Sequence, residues 1–270
     1  MPPRVAVVGH VEWVTFARVP HLPRPGEILH ATEVWDEAGG GGAVAAVHLR
    51  RRAGACLFLT ALGDDPAGRQ AAERLRELGV DLHAGARPVT RRGFTHTDDR
   101  GERTITVLGE RIVPRRADPL PWERLARVDA VYFTGGDPAA ARAPRAAPVL
   151  VATPRASAPL RAAGVEIDAL VFSAGDADEV AWAEELEPLK PRYTVATRGS
   201  TGGTWGGADG GTGEWAAAEV PGPVVDAYGC GDSFAAGLTY ALGAGEPIER
   251  ALAVAASWGA HTLTLRGPYG

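Results

Sequence analysis

The residues with the most chemistry to offer lie together at Asp226–Ala235, Asp-Ala-Tyr-Gly-Cys-Gly-Asp-Ser-Phe-Ala. Val220–Val225 before them is a short extended run, and Phe234, Leu238 and Leu242 after them carry the fourfold spacing of a buried helix face. A glycine turn therefore opens straight into a helix start. The first N–H groups of a helix lack internal partners and sit at the positive end of its dipole. Gly229 and Gly231 let a ligand approach that backbone without meeting a Cβ. Such a mouth suits an anion, most naturally a phosphate. Asp232 beside it has two readings. Asp is a favoured N-cap; a carboxylate next to a bound phosphate is also placed to take a proton from an attacking hydroxyl. Cys230 has two as well: a thiol activated as a nucleophile at a helix N-terminus, or a small space-filler.

Bulk properties narrow the field. The chain has 270 residues, a hydrophobic content of 45% and a net charge of -5, which fits one α/β unit with a full core and no basic footprint for nucleic acid. No apolar stretch approaches the ~20 residues of a membrane span. The start, Met-Pro-Pro-Arg-Val-Ala-Val-Val, lacks a secretory core, and Cys56 and Cys230 make no disulfide framework, so a cytoplasmic location is expected. Lys190 is the only lysine. A Walker A loop and a protein-kinase strand lysine are thereby excluded. The seven histidines show no metal spacing, and no Gly-x-Ser-x-Gly elbow occurs.

Elements able to position Asp232 can be read along the chain. Val5–Val8 is a buried strand ending at Gly9. Val11–Phe16 and Ile28–Trp35, split by a proline-rich turn, read as two strands of a small flap. Gly39–Gly42 precedes a helix over Ala43–Arg51, and Cys56–Leu62 is a buried strand. Asp65 is the expected N-cap of a helix with Pro66 at its first position. Arg92–Thr97 and Thr104–Leu108 form a hairpin in the same flap, with Arg103 at its return. From Asp129 strands and helices alternate, with strands at Ala130–Thr134, Val149–Thr153, Ala169–Ser173 and Tyr193–Ala196 and helices at Pro138–Ala147, Pro159–Ala163 and Ala177–Leu186. That alternation implies a parallel sheet buried on both faces, with ligands at the strand carboxyl ends. Ser173, Thr197 and Asp226 all follow strands and are candidates for one crevice. Gly202–Gly213 reads as a mobile glycine-rich turn or simply a loose hairpin, and Ile248, Leu252 and Ala255 as the inward face of a last long helix.

Asp-Ala-Tyr-Gly-Cys-Gly-Asp resembles the Asp-Thr-x-Gly-Ala-Gly-Asp signature of the PfkB, or ribokinase-like, carbohydrate kinases. The order of the weaker motifs agrees: the glycine run, Gly63-Asp64-Asp65, the flap hairpin and Thr197-Arg198-Gly199. The resemblance implies a ribokinase-like three-layer α/β sandwich over residues 1–270, with a mostly parallel sheet and a β lid from segments near 11–36 and 90–109. It implies ATP as donor and Mg²⁺ bridging the phosphates. Gly229, Cys230 and Gly231 would form the anion hole and Asp232 would be the base. Thr197 and Gly199 would lie near ATP, with Asp226 assigned to the same site. Gly40, Gly41, Glu12 and Arg103 would meet the acceptor, and Asp176, in Ser173-Ala174-Gly175-Asp176, would hold the metal. A lid-mediated homodimer is a further expectation.

The sequence departs from the pattern where the sugar binds. The usual Asp falls at Val14, with Glu12 the nearest acid, and the usual Asn falls at Val44. Trp13, Phe94 and His96 suggest a flatter, less polar pocket for a nucleoside or modified sugar. The expected activity is phosphorylation of a hydroxymethyl group on a small sugar or nucleoside-like molecule. The alternative is a family member that binds ligand without turnover and acts as a regulator.

Overall fold

The computed structural model describes residues 1–270. In chain order its elements are β1 (Val5–Val8), β2 (Glu12–Arg18), β3 (Glu33–Gly39), α1 (Gly41–Ala53), β4 (Leu57–Gly63), α2 (Pro66–Glu77), β5 (Asp81–Arg87), β6 (Arg92–Thr97) and β7 (Arg103–Leu108). There follow β8 (Ala130–Phe133), α3 (Pro138–Arg142), β9 (Val149–Ala152), α4 (Ser157–Ala163), β10 (Ala169–Ser173), α5 (Ala177–Glu184), β11 (Tyr193–Thr197), β12 (Gly203–Gly207), β13 (Thr212–Trp215), α6 (Cys230–Gly243) and α7 (Ile248–Thr262).

Every residue of β1 is buried, and its side chains divide by parity. Val5 and Val7 join one core, Ala6 and Val8 the other. A strand apolar on both faces must be covered on both, which is the condition for a parallel sheet between helices. The sheet runs β13, β12, β11, β10, β9, β8, β1, β4, β5, parallel except for β12 and β13 at one edge. Val5 lies beside Ala130 and Ala6 beside Leu57, which makes β1 an interior strand between β8 and β4. α1, α2, α6 and α7 supply the core on one face, including Leu49, Leu75, Leu238 and Leu252. α3, α4 and α5 supply the other through Ala140, Leu160 and Ala183. The result is a three-layer α/β sandwich with a mostly parallel sheet.

A second sheet, ordered β3, β2, β6, β7, stands over the carboxyl ends of the first. Val14 and Phe16 of β2 turn inward to Val44 of α1 and to Tyr228. On β6 the buried residues are Gly93, Thr95 and Thr97, while Phe94 and His96 are only partly covered.

Three elements differ from expectation. β3 spans Glu33–Gly39 rather than 28–35, because pairing with β2 sets its register: Phe16 opposes Trp35 and Glu12 opposes Gly39. Ile28 is left in solvent, 86% exposed. The helix begun at Pro138 ends at Arg142 and tightens into a 3₁₀ turn, since Pro144 has no N–H to continue the ladder. β5 was not foreseen; as an edge strand it buries little beyond Leu82 and lacks an apolar run.

Candidate active site

Gly229 is the N-cap of α6, in the left-handed region at φ 81°, and no side chain caps the helix. The Cys230 N–H reaches the Ala227 carbonyl only at 3.5 Å, and the regular ladder starts with Ser233 N–H to Gly229 O at 2.8 Å. The N–H groups of Gly231 and Asp232 have no acceptor within the chain. Gly231 is exposed, and a Cβ built there would meet nothing within 4 Å. The helix mouth is therefore open and carries free donors. Asp232 belongs to the first turn of α6, three positions after the cap, so the N-cap reading fails.

The Asp232 carboxylate accepts no hydrogen bond, and burial pushes its pKa up to about 6. Arg155 and Arg103 pull it down; Glu179 and Glu12 push it further up. Cys230 fares differently. Burial pushes its thiol up to about 12, against the lowering a helix start would favour, which favours the space-filling reading of Cys230.

The glycine run is fitted against this mouth. Gly40 is left-handed at φ 84°, and Gly41 starts α1. A Cβ on Gly41 would lie 2.6 Å from Asp232 Oδ1, and one on Gly40 would touch His10 at 3.1 Å and Glu12 at 3.2 Å. Two helix starts thus face one another across Asp232. Tyr228, the variable position of the turn, joins them: its hydroxyl oxygen accepts from Gly40 N–H at 3.1 Å. Its ring meets Phe16 edge-on at 4.9 Å, and Phe16 stacks on Trp35 at 5.1 Å, so the same side chain reaches the lid.

Beyond Asp232 the pocket is charged. His10 follows β1, is buried, and lies 3.4 Å from both Gly41 N and Thr134 Oγ1. Burial, reinforced by Arg111, Arg91 and Arg155, holds its pKa well below the usual imidazole value. Glu12 is buried and lies 3.2 Å from Arg91 Nη1 and 3.7 Å from His10 Nε2. Burial raises its pKa while the three arginines oppose. The flatter, less polar pocket is thus corrected. Phe94 and His96 pack on each other at 4.9 Å on the face of β6 opposite Gly93, Thr95 and Thr97. Val14 and Val44 are completely buried and pack beside Phe16 and Tyr228, so neither presents a polar group to a ligand.

At the end of β10, Asp176 caps α5 by accepting from the N–H groups of Asp178 and Glu179, and it also takes Arg155 Nη2 at 2.7 Å. Glu179 binds Arg155 Nε and accepts from Ser173 N–H at 2.7 Å. No cluster of three metal-ligating side chains exists in the chain. Asp176 is thus already engaged, and the protein alone offers no preformed cation site. Asp226 departs further from expectation. It is fully buried, accepts from Tyr228 N–H at 2.8 Å and from Thr97 Oγ1 at 3.4 Å, and has no surface for a nucleotide. Thr197 donates to the Phe172 carbonyl at 3.3 Å, and Gly199 turns the chain after β11 at φ 58°. Arg103 is exposed on the lid, within electrostatic reach of Asp226, Cys230 and Asp232.

Glu12, Gly40, Gly41, Gly231 and Asp232 therefore converge, as the motifs implied. His10, Arg91, Arg111, Arg155, Glu179 and Tyr228 join them without having been singled out. Only the position of His10 and Arg155 just past strand carboxyl ends offered a signal. Cavities of about 280 and 570 Å³ exist elsewhere, lined by His48 and Trp258 and by the N-terminal residues, and neither borders Asp232.

Known proteins are similar to this chain in sequence and in fold. A ribokinase of Dictyostelium discoideum is 32% identical over 81 residues, 30% of this chain and 26% of that protein. An ATP-dependent ribose-1-phosphate kinase of Halopiger xanaduensis is 29% identical over 281 aligned positions, 98% of this chain and 93% of that protein. The structure of Arabidopsis thaliana ribokinase complexed with ribose and ATP superposes with a TM-score of 0.74 at 20% identity, over 99% of this chain and 94% of that one. A family model described as pfkB family carbohydrate kinase matches residues 2–149 and 160–270. With its three-layer fold, four-stranded lid and Gly229–Asp232 turn, the chain belongs to the pfkB family of carbohydrate kinases.

Proposed function

We propose that this chain transfers the γ-phosphoryl group of ATP to a hydroxymethyl group of a small sugar or nucleoside-like acceptor. The observation that carries the reading is Asp232. Its carboxylate is unpaired, has a pKa near 6, and adjoins two free N–H groups at a helix start. A base with a pKa near the working pH takes a hydroxyl proton efficiently. The Gly231 and Asp232 amides are suited to hold the transferred phosphoryl group, since little but positioning and charge stabilisation is needed in such transfers. Arg103, on the lid, adds positive charge above that point. The nucleotide supplies the phosphoryl group and leaves as ADP. Thr197 and Gly199, at the end of β11, are the candidates for its near contacts.

The fit of Mg²⁺ is weaker. Asp176 is the one expected ligand, and it is occupied by Arg155 and by the cap of α5. A cation here would rest chiefly on nucleotide phosphates, as Mg²⁺ commonly does. The relatives are named for ribose in one case and for ribose 1-phosphate in the other, which supports a pentose-sized acceptor. The exposed edge of β7, with Ile105, Val107 and Leu108 in solvent, supports a lid-to-lid dimer, checked by the solution mass.

The direct test is Asp232→Asn. ADP release with an accepted substrate should fall by ~10²–10⁴-fold while ATP binding persists. Turnover within a few-fold of the parent would end the assignment of the base. ATP binding with no ADP release from any acceptor would instead favour the regulator reading.

A further inference from the structure

Between the last turns of α1 and α7 lies a recess of about 280 Å³ that the phosphoryl transfer does not use. His48, Arg51, Arg52, Trp258 and His261 line it. Arg51 and Arg52 come three and four positions after His48 and share its face of α1; His261 comes three after Trp258 on α7. His48 and Trp258 are buried, whereas Arg51, Arg52 and His261 are exposed at the rim. Arg51 lies over the Tyr269 ring at 5.9 Å and Arg52 over the Trp258 ring at 5.6 Å, so two aromatic faces hold the guanidinium groups apart.

No carboxylate lines the recess. Burial pushes the His48 imidazole down to about 4; the Pro268 carbonyl pulls it up, and Arg51, His261 and Arg52 push it further down. The charges acting on His48 are thus all positive, in a chain of net charge -5. Basic residues complement a helix carboxyl end, which accounts for each of them singly. It does not account for their meeting around one aromatic-walled hollow without a counter-charge. Guanidinium forks match carboxylate and phosphate oxygens. The hollow is several times the ~30 Å³ of one water in the liquid, which leaves room for an organic skeleton. Because the two arginines rest on different rings, a ligand that meets both carries its charge on separate groups.

The recess also bears on the start of α6 from two sides. Opposite a carbonyl His48 Nε2 must donate, and it reaches Pro268 O at 3.0 Å. Pro268 packs on Gly229, where a Cβ would lie 3.4 Å from it. From α7, the Trp258 carbonyl accepts from Ser233 Oγ at 3.2 Å. Gly229 caps α6 and Ser233 follows Asp232, so both walls end on the turn that carries the free N–H groups.

We infer that this recess is a second binding site, separate from the Asp232 pocket, for a small organic anion bearing at least two carboxylate or phosphate groups, and that its occupant steadies the start of α6. Arg51 and Arg52 each take one group, and His261 offers a ring nitrogen at the rim. The binding does not depend on the kinase reading.

The test is calorimetry on the full chain with tricarballylate, whose three carboxylates sit on a short carbon chain, in the absence and presence of a non-hydrolysable ATP analogue. One equivalent should bind in both conditions with a Kd below ~1 mM. Inorganic phosphate, with its charge on one centre, should bind at least ~5-fold more weakly. The pair Arg51→Gln and Arg52→Gln should weaken tricarballylate at least ~10-fold, and the pair Arg51→Lys and Arg52→Lys less, since charge is kept and the fork lost. Either single Gln variant should lose ~3-fold, which reads the site if circular dichroism shows that the pair fails to fold. In the parent, tricarballylate should slow amide exchange at 229–233, and in the Gln variants it should not. No binding overturns the inference, as does affinity unchanged in the Gln variants or phosphate bound as tightly as tricarballylate. Binding abolished by the ATP analogue overturns it too, by placing the anion at the Asp232 pocket. Binding with unaltered exchange at 229–233 overturns the link to α6. No readout here requires turnover, so failure of the kinase reading, shown by Asp232→Asn, remains a separate result.

Discussion

At the scale of the residue, Asp232 is the group whose surroundings matter most. Its pKa of about 6 arises from burial near Glu179 and Glu12, partly offset by Arg155 and Arg103. As the base it must be ionised, so kcat/KM should climb with pH through about 6 and level above it. A profile flat from pH 5 to 8 would count against the role. The same shift bears on stability. In the unfolded chain the group titrates near 3.8, so the folded state holds the proton more tightly. Its favourable contribution is complete below 3.8 and lost as pH rises through about 6. Above that, the ionised carboxylate costs on the order of 1–3 kcal/mol. Asp232→Asn should therefore raise Tm at pH 7–8, with the gain fading toward pH 4; a variant less stable than the parent at pH 8 would contradict this.

Among elements, the facing starts of α1 and α6 set the geometry, and the glycines there are spacers. Gly41 leaves room for the Asp232 carboxylate, which a Cβ would approach to 2.6 Å. Gly41→Ala should cut kcat by ~10²-fold or more through misplacement, with an unchanged circular dichroism spectrum. A variant with normal kcat would show that Asp232 is free to move aside. The turn around Asp232 was legible in sequence because its glycines, its acid and the apolar helix after it lie within one short stretch. The central strands were legible for a related reason: both faces are buried, so they read as unbroken apolar runs. Edge strand β5 and the shifted β3 were not, because their registers come from neighbours. Arg91 and Arg111 were hidden too. They stand among 27 arginines, and only the folding of separate loops toward Glu12 and Arg155 makes these two distinct. Asp226 was misread because a carboxylate after an extended run looks like a ligand, whereas here its partners are the backbone of Tyr228 and the lid.

For the whole molecule, the question is what holds the lid over the pocket. Three contacts do so away from the chemistry: Thr97 Oγ1 donates to Asp226 Oδ2 at 3.4 Å, Phe16 packs against Tyr228, and the lid tip at Gly101 lies beside Val224. Tyr228 and Asp226 belong to the turn that opens α6, so the lid contacts and the free N–H groups of the helix start share one segment. Tyr228→Phe removes only the oxygen that accepts from Gly40 N–H, leaving the ring on Phe16. Thr97→Val keeps shape and removes the link to Asp226. Each loses one hydrogen bond, about 1 kcal/mol of closure, in which the acceptor sits enclosed. The expected result is a KM for the acceptor raised ~3–10-fold, since 1.4 kcal/mol is tenfold. ATP affinity should change less, because its candidate contacts lie beyond the lid. Amide exchange should quicken across 92–108 in Thr97→Val and remain slow in β1 and β8, which belong to the rigid core. If exchange quickens equally in both regions, the substitution has loosened the whole fold. If neither exchange nor KM responds, the lid is held by its apolar face, Val14 and Phe16 against Val44, and the polar link to Asp226 contributes little.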